Sequence, residues 1–127
     1  MDGNRIEEIN ATIEAYIEVW NERDTERRRA LIEQVWSEDG TYTDPLARCA
    51  GRASLDATVG AVQGQFPADF VFTLGPVDAH HHLARFTWEL GPAGGESLVG
   101  GFDVAVLDDD GRIKAVHGFL DKVPAGL

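Results

Sequence analysis

At 127 residues the chain has the length of one domain, enough to bury a core but too short for two. A hydrophobic fraction of 43% and a charged fraction of 26% are ordinary for a globular protein and argue against disorder. Twenty-two acids against eleven Lys and Arg leave a net charge of −11, which argues against a nucleic-acid partner, because phosphate binding needs clustered cations.

Ile6, Ile9, Ile13, Tyr16, Ile17 and Trp20 recur at helical spacing, with Glu7, Glu8, Glu14 and Glu18 on other faces, so an amphipathic first helix ends near Asn21. Asp24 or Thr25 can cap a second helix carrying Ala30, Leu31, Val35 and Trp36. Its run Arg27-Arg28-Arg29, flanked by Glu26 and Glu33, reads as a solvated face with i,i+4 ion pairs. Ser37-Glu38-Asp39-Gly40 breaks that helix, and Thr41-Tyr42-Thr43 forms a short strand stopped by Asp44-Pro45. A third helix runs from Gly51 to Phe66 on Leu55, Val59, Val62 and Phe66; Gly60 and Gly64 weaken it, so packing must support it.

From Asp69 the period changes to two. Strands are predicted at about 69–77, 81–90, 97–107 and 112–122, separated by Asp78-Ala79, by Gly91 to Gly95 and by Asp108 to Gly111. Such hairpins make an antiparallel meander, so the chain is an α+β fold, three helices on one face of a curved, mainly antiparallel sheet, spanning 1–127 as one domain. The late strands are apolar on both faces, through Phe102, Val104 and Val106 and then Phe119; a homodimer through the outer sheet face would bury that surplus.

No run of about 20 apolar residues is present, and the start Met-Asp-Gly-Asn-Arg lacks the pattern of a signal peptide, so a cytoplasmic protein without a membrane partner is expected. Cys49 is alone and reads as a passive small residue. In His80-His81-His82 only the first and third could share an ion, and no carboxylate cluster supports them, so no metal is expected. His117, mid-strand and partly buried by pattern, is a candidate proton carrier. Ser37, Ser54 and Ser97 lack a nucleophile elbow.

Asp103 is the only charge in the ten-residue run Leu98 to Leu107. A buried lone carboxylate is costly, so it is protonated, hydrogen-bonded or facing a cavity, unless an edge position or a partner such as Arg85 relieves it. Asp44 before Pro45 reads on its own as an Asx-type turn, and Tyr16 as a core-filling ring with one partner for its hydroxyl.

The element order resembles the NTF2-like, or SnoaL-like, superfamily over about Ile6 to Val123. The carrying segments are Tyr16 to Asp24, Glu38 to Pro45, Gly101-Phe102-Asp103 and Asp110-Gly111-Arg112-Ile113. The resemblance implies a cone-shaped domain with a pocket between helices and sheet, on a fold that hosts isomerases, polyketide cyclases, dehydratases, epoxide hydrolases and binders alike. Within it, Tyr16, Asp44 and Asp103 are similar in placement to the tyrosine, the pre-proline aspartate and the strand aspartate of ketosteroid isomerases. That likeness implies Asp44 as proton shuttle and Tyr16 with a protonated Asp103 as hydrogen-bond donors to an enolate oxygen. It implies no cofactor, and a small apolar or carbonyl-containing molecule as ligand. Trp20, Tyr42, Phe66, Phe86, Trp88 and His117 are the expected pocket residues, and Trp20, Trp88 and Tyr42 are bulky enough to make that pocket small. Two alternatives stand beside this reading: a binding module with Asp103 neutralised by Arg85 or His117, and an epoxide-hydrolase-like site in which Arg85 works with Asp103.

Overall fold

The computed structural model describes residues 3–125, with side chains from Arg5 onward; Met1, Asp2, Gly126 and Leu127, at the ends of the expected 1–127 domain, lie outside the described residues. The chain runs α1 (Gly3–Asn21), α2 (Thr25–Val35), β1 (Trp36–Thr43), β2 (Arg48–Ala50), α3 (Arg52–Gln65), β3 (Phe70–His80), β4 (Leu83–Pro92), β5 (Val99–Leu107) and β6 (Ile113–Lys122). The strands form one sheet in the order β2-β1-β6-β5-β4-β3, antiparallel throughout except that β1 lies parallel to β6. This is the expected α+β architecture, and β3 to β6 are the expected meander.

Four local readings are corrected. The second helix stops at Val35, and Trp36 opens β1 instead of closing α2. Ser37 to Gly40 continue that strand through an irregular register between Trp36 and Thr41, where the Trp36 indole lies over Gly40; a Cβ there would sit 2.5 Å from Trp36 Nε1. The three-residue β2, too short for any period to show, pairs with the end of β1. The histidines are not a strand start: β3 runs on to His80, and His81-His82 form the hairpin turn, His81 taking φ +51°. Histidine is among the side chains that tolerate this left-handed region best.

Burial of the apolar stripe fixes the helices. Ile9, Ile13, Tyr16, Ile17 and Trp20 of α1 are buried together with Leu55 and Val59 of α3 and Phe86, Trp88 and Ala105 of the sheet. Each such side chain contributes about 1.5–3 kcal/mol in transfer from water. Asp24 caps α2 by accepting from Arg27 N at 3.0 Å, and Asn21 pins the end of α1 to β3, accepting from Phe72 N at 2.7 Å and donating to Phe72 O at 2.9 Å. Arg28, expected on a solvated face, is buried. Its Nε contacts Asp56 Oδ1 at 2.6 Å and its Nη1 donates to Gln63 Oε1 at 3.0 Å, which ties α2 to α3. Paired and hydrogen-bonded, the guanidinium meets the conditions for a buried charge.

The sheet curves over the helices at a bulge between Leu74 and Val77, where Gly75 leaves room for the Thr87 hydroxyl. Its inner face carries Phe86, Trp88, Gly101, Asp103, Val116 and Gly118; its outer face carries Arg85, Glu89 and His117, half-buried Phe102, Val104 and Val106, and Phe119 at 60% exposure. Among the described residues no helix is long and apolar enough to cross a membrane.

Candidate active site

Between α1, α3 and the inner sheet face lies a cavity of about 310 Å³. That is the low end of small-molecule pockets, which span about 300–1,000 Å³. Tyr16, Asp44 and Asp103 all line it, together with the rings of Trp20, Tyr42, Phe66, Phe72 and Trp88 and the aliphatic Val62, Leu90, Val99 and Leu120. Among the described residues no Lys, Arg or His lines it, and the ionisable groups that do are two aspartates and two tyrosines.

Tyr16 is delivered by the buried stripe of α1. Its ring stacks on Trp36 at 5.8 Å between centroids and 12° between planes, and meets Phe86 edge-on at 6.1 Å. The side chain is 1% exposed and its hydroxyl is buried without a hydrogen-bond partner. Burial holds the phenol well above its ordinary value, and the charge of Asp103 adds to that shift.

Asp103 stands at the middle of β5, opposite Phe86 on one side and Gly118 on the other. Spaced by two from Gly101 and from Ala105, it shares their inward face, where it is 3% exposed. Burial raises its carboxyl from 3.8 to about 7; a hydrogen bond with Trp88 offsets part of that, and the nearby charge of Asp44 adds to it. Its Oδ1 is buried without a partner. Two glycines make the geometry possible. The Trp88 indole lies flat over Gly101, where any Cβ would collide with it; a Cβ on Gly118 would sit 2.7 Å from Asp103 Oδ1 and 3.3 Å from Asp44 Cβ.

Asp44 directly follows β1 and makes the Asx turn that its Asp-Pro context predicts: Oδ1 accepts from Leu46 N at 2.8 Å and Ala47 N at 2.7 Å. Its Oδ2 accepts from the Tyr42 hydroxyl at 2.5 Å. Burial, then the neighbouring Tyr16 and Asp44, push the Tyr42 phenol far above its ordinary value. The site thus joins one carboxylate with three donors to two buried phenols and to a carboxyl pushed up to about 7.

The SnoaL-like domain pattern matches residues 13–116, which is most of the chain and a span within which all three of these residues fall. The chain is a member of the SnoaL-like domain family. Among solved structures, this SnoaL-like chain is similar to a candidate isomerase of the SnoaL-like family from Agrobacterium tumefaciens, at 39% identity and TM-score 0.84, covering 90% of this chain and 97% of that one. A candidate ketosteroid isomerase from Kribbella flavida shares its fold at 21% identity and TM-score 0.70, covering 95% and 83% of the two chains. So does a candidate SnoaL-like polyketide cyclase from Jannaschia sp., at 15% identity and TM-score 0.72, covering 90% and 85%. Comparison with functionally curated proteins returns no match.

Of the expected pocket residues, Trp20, Tyr42, Phe66 and Trp88 line the cavity of this SnoaL-like domain. Phe86 does not; it packs beneath the Tyr16 ring as core. His117 is exposed on the outer face opposite Val104, because Val116 takes the inward position, so it neither reaches the cavity nor neutralises Asp103. Arg85 also points outward and pairs with Asp78 at 3.2 Å, so no arginine stands beside Asp103 and the epoxide-hydrolase-like arrangement is not formed. The histidine turn spends its rings locally, His80 Nδ1 lying 3.1 Å from His81 Nδ1 and His82 3.5 Å from Asp109. Ser37 bonds Asp108, Ser97 bonds Glu89, and Cys49 is half-buried on β2. Sequence reading missed Phe72 and Leu120 as lining residues, and Gly101 and Gly118 as supports for the acids. Phe72 carries no signal that separates it from Phe70, while a Gly-Gly pair before Asp103 in an apolar strand is a sign of close approach by another side chain.

Proposed function

We propose that this SnoaL-like protein is a cofactor-independent isomerase or cyclase that moves a proton alpha to a carbonyl of a small, largely apolar molecule. One observation carries the reading: Tyr16 Oη and Asp103 Oδ1 are both buried without a hydrogen-bond partner, and both belong to residues that line one cavity with Asp44. Buried polar atoms are nearly always paired, so two orphans on residues lining one cavity call for a ligand oxygen. In the proposed reaction Asp44 takes a proton from the carbon next to the carbonyl. The C–H pair passes into the enolate, whose oxygen accepts hydrogen bonds from Tyr16 and the protonated Asp103, and Asp44 returns the proton to another carbon.

The test is turnover of a 5-ene-3-ketosteroid and of smaller β,γ-enones, followed by absorbance of the conjugated product, for wild type and Asp44→Asn. Conversion by the wild type that falls in the variant supports the reading. A wild type that binds these compounds in a thermal-shift assay yet converts none of them sinks it. The second reading, a binding module without chemistry, draws on the same site: Asp44 already accepts three hydrogen bonds and both donors are buried.

A second copy of this chain is the partner proposed for the outer sheet face, where exposed Phe119 pairs across strands with half-buried Phe102. Sedimentation equilibrium should give a dimer, and Phe119→Glu a monomer; a monomeric wild type overturns that part.

A further inference from the structure

Asp44 sits where a carboxylate would ordinarily turn freely, at the end of a strand and half-buried. The Asx turn holds Oδ1 through the Leu46 and Ala47 N–H groups. A backbone N–H can only donate, so a proton could settle on Oδ1 only by displacing one of these two contacts. Oδ2 is the oxygen left to take one, and its partner in the protein is Tyr42 Oη at 2.5 Å. Residues i and i+2 of a strand share a face, which is why Tyr42 and Asp44 meet. The Tyr42 ring is itself fixed: it is 4% exposed, lies 5.4 Å from Trp20 between centroids, and its backbone is paired on both sides, with Cys49 and with Val116.

We propose that Tyr42 is the positioning residue for Asp44, holding the carboxylate in one orientation and following its proton with a hydroxyl that serves as donor to the anion and as acceptor from the acid. This rests on the isomerase reading above. A hydroxyl has both a donor and lone pairs and turns about its C–O bond. When Asp44 is ionised, the Tyr42 O–H points at Oδ2. When the substrate C–H breaks and its proton lands on Oδ2, the Tyr42 hydroxyl turns and accepts from the new Oδ2–H. The electron pair stays in the enolate, Tyr42 keeps its own proton throughout, and Oδ2 then returns the borrowed proton to carbon. A phenol held far above its ordinary value stays neutral through this cycle. The shuttle therefore needs no swing of the Asp44 side chain; only a hydroxyl hydrogen moves.

Proton NMR of the full chain, run beside steady-state kinetics on the 5-ene-3-ketosteroid, tests this. Wild type should show a hydroxyl resonance well downfield of the amide protons that is absent in Tyr42→Phe and shifted upfield in Asp44→Asn. Phenylalanine keeps the ring packing, so Tyr42→Phe should fold, bind with KM within about twofold of wild type, and lose about tenfold to a hundredfold in kcat. The spectrum of wild type alone keeps the inference testable should the variant fail to fold: no downfield resonance overturns it. A resonance that survives in Tyr42→Phe, or a kcat unchanged by that substitution in an active enzyme, also overturns it. A wild type with the resonance but no turnover brings down the isomerase reading instead, and leaves Tyr42 as a structural tie with its catalytic part refuted.

Discussion

Asp44 and Asp103 line the same cavity, and the protein treats them in opposite ways. Asp44, on a turn, is given two backbone N–H groups and a tyrosine hydroxyl. Asp103, in the middle of a strand, is given burial, a tryptophan and one unpartnered oxygen, and its carboxyl rises to about 7. Donors around a carboxylate favour the charge, while desolvation and a like charge nearby disfavour it. Two copies of one residue type are thereby given opposite surroundings, and the proposed division of labour between them rests on that difference.

The largest effect that could break this division comes from removing the acceptor. Asp44→Asn should lower kcat on a substrate of the proposed class by about a hundredfold to ten-thousandfold, with ligand binding retained in a thermal-shift assay. Activity left intact would move the base elsewhere, Asp103 being the first candidate.

Tyr16→Phe addresses the donors. Turnover should drop by about a hundredfold to a thousandfold. The melting temperature should hold or rise, because the substitution removes a buried hydroxyl that has no partner. A fall in both would mean that the hydroxyl serves the fold.

The acidity of Asp103 can be read without any substrate. Its folded value, about 7, lies above an ordinary 3.8, so the folded state holds a proton that the unfolded chain has released between those two values. Stability from this group is fully present below about pH 3.8 and is lost as pH rises to about 7, on the order of 4 kcal/mol over the window. Thermal denaturation of wild type should therefore fall across this window relative to Asp103→Asn, with the variant the more stable at pH 8. Parallel curves would show that the carboxyl ionises normally.

The smallest expected effect sharpens the geometry. Gly118→Ala puts a methyl 2.7 Å from Asp103 Oδ1 and should cost about 1–3 kcal/mol in denaturant unfolding while displacing both acids. A neutral substitution would show that the packing there gives way easily.

Much of the architecture is local in origin, and sequence alone exposes it. The stripe from Ile9 to Trp20, the cap at Asp24, the turn chemistry after Leu107 and the change of period at Asp69 each depend on neighbours a few residues away. The Asx turn at Asp44 is of that kind as well. Asp103 was visible as one acid in an apolar strand, and only the resemblance to ketosteroid isomerases suggested that it lies near Tyr16. Its facing was not visible: β5 is apolar on both sides, so Phe102 and Val104 outward look like Ala105 and Leu107 inward. The same ambiguity in β6 put His117 in the cavity on paper and on the outer face in fact.

What the sequence by itself determined is the fold class and the order of the helices and longer strands, because spacing and short-range backbone chemistry set these; the three residues in question were singled out by the resemblance to ketosteroid isomerases. Only the tertiary structure decided that Arg28 is buried against Asp56, that Arg85 turns away from Asp103, that Gly101 makes room for the Trp88 indole, and that Gly118 leaves space for both acids. Those outcomes depend on which faces of distant segments meet, and a carboxyl takes its acidity from whatever packs around it.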